Sequence, residues 1–145
     1  MTLVQTLART TAHAGRQLLR LSGVPQALTS DKEGVLIPIC PLGPEHVPAM
    51  KAHMLALAPH DRYLRFGYAA TDEQINRYID GLKFDTDEIY GIFNRNLDIA
   101  AMAHLAIMKA PDRQSIAEFG VSVQSYARGR GYGARLFERA VMHAR

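Results

Sequence analysis

The sequence predicts an α/β fold, α+β in stricter usage: a mostly antiparallel sheet flanked by helices. Three observations carry this. Apolar residues recur at helical spacing between 44 and 82, then alternate strictly between 88 and 124. The alternating segments are joined by turns too short for parallel crossovers. A glycine-rich turn then returns the chain to a helical period.

Two regions are expected, residues 1–34 and 35–145. In the first, residues 3–21 read as an amphipathic helix: Leu3, Val4, Leu7, Ala14, Leu18 and Leu19 recur at roughly helical spacing, with the arginines mostly off that stripe. The stretch is rich in Arg and Thr and free of acid, so it also fits a transit peptide or a membrane-surface helix. Packing on its own body or on a partner chain is the reading preferred here. Gly23, Pro25, Thr29 and Ser30 mark a linker.

In the second region, Val35–Cys40 reads as a strand, and Pro38 places it at a sheet edge or a bulge. Gly43-Pro44-Glu45 opens a helix with Val47, Met50, Met54 and Leu57 on its apolar stripe, and Pro59 stops it. Thr71-Asp72-Glu73-Gln74 is a capping box for a second helix carrying Ile75, Tyr78, Ile79 and Leu82. Residues 88–93, 98–108 and 115–124 are three strands, separated by turns at Asn94-Arg95-Asn96 and Pro111-Asp112. In the long strand Ile99, Ala101, Ala103, Leu105 and Ile107 share one face, and Ala100, Met102, His104, Ala106 and Met108 the other. In the next, Ala117, Phe119, Val121 and Val123 oppose Glu118, Gly120 and Ser122. A helix from about Gly131 buries Leu136, Phe137, Ala140, Val141 and Ala144.

Composition narrows the classes. At 145 residues, 48% apolar and 21% charged, the chain is long enough to bury a core without staples. One cysteine, Cys40, excludes an internal disulfide framework and a multi-cysteine zinc site, and a reducing cytoplasm is the simplest home. Cys40 itself reads as a small buried hydrophobe. No run of 18 apolar residues is present, so no membrane-spanning helix is expected. The net charge of +3 comes from Arg9, Arg16 and Arg20, because the rest of the chain is balanced. A nucleic-acid partner is therefore not expected. His46, His53 and His60 are seven apart, but none makes an H-E-x-x-H pair, and His104 reads as a satisfied histidine, so no metal is expected.

The informative stretch runs from Val121 to Leu136. A strand enters a turn containing Arg128, Gly129, Arg130, Gly131, Tyr132, Gly133 and Ala134, then a helix begins. Glycines allow tight turning and close approach to a ligand, and free amides with the helix dipole favour an anion such as a pyrophosphate. Arg135 adds positive charge. A dinucleotide reading of Gly129, Gly131 and Ala134 conflicts with the preceding meander and with the eleven residues that follow Ala134. A phosphate-loop lysine is absent, since no lysine follows Lys109.

Val121-x-Val123-x-x-x-x-Arg128-x-x-Gly131-x-Gly133-Ala134 resembles the acetyl-coenzyme A motif of the GNAT N-acetyltransferase superfamily, whose core is Q/R-x-x-G-x-G/A. The order of elements from 35 to 145 is similar to the first two-thirds or so of that fold. Arg62-Tyr63-Leu64-Arg65-Phe66 is similar to a short segment in the GNAT modules of some bacterial protein acetyltransferases.

The resemblance implies transfer of an acetyl group from acetyl-CoA to a primary amine by direct attack. It implies that the main chain of Val121, Ser122 and Val123 pairs with the pantetheine arm like an added strand. It implies that Arg128 to Ala134 hold the pyrophosphate, and that Glu118 is the general base. Glu118 reads equally as a solvent-facing or arginine-paired carboxylate, and a bulge in its strand would change the way it faces. The acceptor is a small-molecule or protein amine. The fold of the resemblance continues past the motif helix with a further strand and a tyrosine acid. The domain is thus expected to be C-terminally incomplete, with a homo-oligomer formed at the edge along 117–123. The alternative is a non-catalytic CoA-binding or assembly module.

Overall fold

The computed structural model describes residues 37–109 and 115–143. The expected helix at 3–21, its linker, residues 35 and 36, and the Pro111-Asp112 turn lie outside the described residues.

Four strands form one antiparallel sheet in chain order: β1 (Cys40–Pro41), β2 (Glu88–Phe93), β3 (Ile99–Lys109) and β4 (Ser115–Val123). Three helices separate β1 from β2: α1 (Val47–Leu55), α2 (Pro59–Phe66) and α3 (Asp72–Asp80). The last element among the described residues is α4 (Tyr132–His143), reached from β4 through a short 3₁₀ turn at Ser125–Ala127.

The sheet has two covered faces. Tyr90, Ile92, Ala103, Leu105 and Phe119 pack against Tyr132, Leu136 and Ala140 of α4, with Ala117, Val121 and Val123 adding to that cluster. Ile89 and Met102 pack on the other face with Met50, Met54, Ile75 and Ile79 of α1 and α3. Helices of nine residues do not persist alone in water. Each fully buried side chain of this kind contributes about 1.5–3 kcal/mol, and that burial holds them.

Three expectations need correction. Pro59 does not end the helical region. It occupies the first turn of α2, where a missing N–H costs nothing, so there are three helices and not two. Of residues 37–40, only Cys40 pairs with β2, and Cys40 is half-buried, not buried. The alternation in β3 breaks at its start: Ile92 pairs with Ala101 but Phe93 pairs with Ile99. The bulge at Ala100 sends Ile99 to the α1–α3 side and Ala100 to the α4 side.

Arg62 ties the helices together. Its Nε and Nη2 donate to the carbonyls of Leu57 (3.1 Å) and Leu55 (2.8 Å). Its Nη1 donates to the carbonyl of Ala70 (3.1 Å) and to Asp72 (2.7 Å). The capping box at α3 forms as its residues predict: Thr71 Oγ1 accepts from the Gln74 amide and Gln74 Oε1 accepts from the Thr71 amide.

Candidate functional site

The register of β3 with β4 is uninterrupted from Lys109 opposite Ser115 to Ala101 opposite Val123, so no bulge turns Glu118. The Gln124 amide donates to the Ala100 carbonyl (2.8 Å). In an antiparallel pair, main-chain bonding to one partner alternates. Counting back from Gln124, Ser122, Gly120 and Glu118 turn their main chain toward β3. Val123, Val121, Phe119 and Ala117 turn theirs to the outer edge, and among the described residues no strand pairs with that edge.

This edge runs into the loop. Gly129 and Gly131 have φ of 77° and 81°, the left-handed region that residues with a β-carbon enter at a cost. Nothing lies within 4 Å of where either β-carbon would stand, so the backbone angle alone demands glycine. Gly133 differs: its β-carbon would make ordinary contact with Val121 (3.9 Å) and Val123 (4.0 Å). The Arg135 amide bonds the Gly131 carbonyl (3.3 Å), so the amides of Tyr132, Gly133 and Ala134 lie ahead of the first helical bond.

Side chains of the motif are placed unequally. Arg128 forms an ion pair with Asp61 of α2, and Arg130 is exposed. Tyr132 and Ala134 are buried in or beside the α4 core, so only their main chain faces the loop. Arg135 keeps a buried Nη1 with no partner among the described residues. Glu118 is exposed, opposite Ala106.

The other face of β4 carries two polar networks. In the first, His53 on α1 donates from Nδ1 to the Ile99 carbonyl (2.7 Å), and its Nε2 accepts from Ser122 Oγ (2.7 Å). Gln124 Nε2 donates to the His53 carbonyl (2.7 Å). Burial pushes the His53 imidazole down to about 4, against the hydrogen bond to Ile99, which pulls it up. The ring is therefore neutral at physiological pH. Ser122 thus serves α1 with its side chain.

In the second network, Asp87 Oδ2 accepts from His104 Nε2 (2.8 Å) and His104 Nδ1 accepts from the Tyr78 hydroxyl (2.6 Å). Tyr78 in turn accepts from Arg65 Nη2 (2.7 Å). Burial lowers the His104 pKa, partly offset by the bond to Asp87. Burial raises that of Tyr78, and the Arg65 charge works against the rise. His104 is satisfied, as its sequence setting predicts. The network as a whole escapes sequence reasoning, because its members lie at 65, 78, 87 and 104. The single local sign is Gly120, a glycine inside a strand, which often marks close approach by another group. Among the described residues, no group of three or more His, Cys, Asp or Glu side chains is arranged to hold a metal ion.

No family model matches the sequence, and no curated protein does. Solved structures match the fold. The GNAT domain of S. lividans PAT superposes with a TM-score of 0.62 at 14% identity, covering 80% of this chain and 69% of that one. An acetyltransferase of the GNAT family from Staphylococcus aureus gives 0.52 at 14% identity, with 74% and 65% covered. An acetyltransferase from Trypanosoma brucei gives 0.52 at 12% identity, with 74% of each chain covered. The chain has the GNAT fold.

Proposed function

We propose that this protein is an N-acetyltransferase that uses acetyl-CoA to acetylate a primary amine. The observation that supports it is the outer edge of β4, whose free peptide groups at Val121 and Val123 lead directly into the left-handed glycines and the open amides of α4. An extended arm of amide groups fits such an edge, and a diphosphate fits the amides beyond it. The residues assigned to the cosubstrate are Val121 and Val123 through their main chain and Arg128 to Ala134 around the phosphates, while Ser122, expected with them, is withdrawn because its main chain faces β3 and its hydroxyl bonds His53. Arg130 is exposed for charge contact, whereas Arg128 is shared with Asp61.

Acetyl-CoA would supply the acetyl group as a thioester: the C–N bond forms at the carbonyl carbon, the C–S bond breaks, and coenzyme A leaves as a thiolate that takes a proton from solvent. The chain's own task is to present the amine to the face of the thioester carbonyl and to take its proton. Glu118 is assigned that proton, through one water, because its carboxylate is exposed on the strand that ends in the loop. Calorimetric titration with coenzyme A and a thiol-release assay across a panel of amines test the proposal. Binding with acetyl-CoA-dependent turnover supports it. Absence of coenzyme A binding overturns it, and binding with no turnover on any amine selects the non-catalytic module.

A further inference from the structure

Arg65 is placed with care and left short of acceptors. Its Cζ lies 5.0 Å from the Phe66 ring centroid and 5.3 Å from that of Tyr78. Nη2 is spent on the Tyr78 hydroxyl, which His104 and Asp87 fix from behind. Nε is buried with no hydrogen-bond partner among the described residues. Among the described residues, no carboxylate forms an ion pair with it. Gly120 makes room: a β-carbon there would fall inside the guanidinium. The chain Asp87–His104–Tyr78 cannot carry a proton outward, because it ends on an arginine that stays charged. What it does is hold that charge still.

Nε is closed off, so an incoming carboxylate would meet the guanidinium at its Nη1–Nη2 edge, a planar fork matched to a carboxylate. Glu118 projects from the same face of β4, two residues from Gly120, a spacing of about 6.7 Å along a strand. An acceptor carrying its amine and its carboxylate a few bonds apart would span such a spacing, from Glu118 to the guanidinium that lies over Gly120.

We infer that Arg65 binds the carboxylate of the acceptor, and that the acceptor class is a small amino acid rather than a neutral amine. The inference rests on the acetyltransferase reading for the role of the amine, not for the presence of the anion subsite.

The test uses the whole chain and two product-like probes that differ only in charge, N-acetylglycine and N-acetylglycinamide. The reporter is the ¹⁵N resonance of Arg65 Nε–H. N-Acetylglycine is expected to shift it saturably, together with the Gly120 amide, while the neutral amide leaves both in place. In Arg65→Gln, checked for native dispersion of its amide spectrum, the Gly120 response should vanish. In Arg65→Lys, which keeps charge without the fork, it should weaken several-fold. Equal response to both probes, or response to neither, overturns the inference. So does a comparable shift on Glu118→Gln without any probe, which would mean that the protein's own carboxylate fills the role. Coenzyme A binding is measured separately. Binding without a carboxylate response removes this inference alone. A carboxylate response without coenzyme A binding keeps the subsite and removes the acetyltransferase reading.

Discussion

His53 makes the stability of this protein depend on mild acid in a calculable way. In the folded chain the ring is neutral, donating to Ile99 and accepting from Ser122, and burial holds its pKa at about 4. In the unfolded chain it titrates near 6.5. A depressed folded value means that the stabilisation is complete above the unfolded pKa and is lost as pH falls toward the folded one. The interval from 6.5 to about 4, at about 1.4 kcal/mol per pH unit, comes to roughly 3 kcal/mol. A domain with a total of about 5–15 kcal/mol feels that strongly. Urea unfolding followed by circular dichroism at pH 7 and at successive steps down to pH 4.5 measures it. His53→Gln removes the titrating group, so the stability difference between wild type and variant should shrink through this window by most of the calculated amount. Carboxylates and His104 titrate in both proteins and cancel. Parallel curves for the two proteins would refute the reasoning and mean that His53 is solvated or charged in the native state.

Four further outcomes are expected. Gly131→Ala should cost about 1–2 kcal/mol through the left-handed backbone and weaken coenzyme A binding in calorimetry, whereas Gly133→Ala should leave folding stability nearly unchanged. Arg62→Ala frees carbonyls at Leu55, Leu57 and Ala70 and should lower stability by about 2–3 kcal/mol in urea titration, with Arg62→Lys recovering little of it. Glu118→Gln should reduce turnover about 100- to 10,000-fold while coenzyme A affinity stays at the wild-type value. The free edge of β4 should support self-association, seen as a concentration-dependent mass in light scattering, and Val121→Pro should lower it.

Periodicity made the sheet and its two faces legible, since the alternation at 115–124 needs nothing beyond its own residues. The capping box at Thr71 was equally local. Pro59 misled because proline both ends one helix and opens the next, and the two uses look alike without the fold. The bulge at Ala100 has no signature, since an alanine suits either face. The tight backbone at Gly131 could be read because its requirement is written in consecutive residues, whereas Gly133, read the same way, has an ordinary helical setting. The Arg65 cluster could not: its partners meet only after β3, β4, α2 and α3 have assembled, and Tyr78 alone looked like one more apolar position of α3.

The outer edge of β4 also bears on how such a protein changes over time. A ligand held there would meet peptide groups, and every residue at positions 121 or 123 except proline offers the same donor and acceptor. Valine can give way to isoleucine, threonine or phenylalanine, provided the α4 face still accepts the side chain, and the edge stays chemically the same. Recognition of this kind is stored in backbone shape and leaves little trace in residue identity. Two chains can therefore share the shape of such an edge at low identity, and the fold here superposes at 0.62 on a structure of 14% identity. Gly129 and Gly131 are the exception, because their backbone angles tie shape back to a single amino acid.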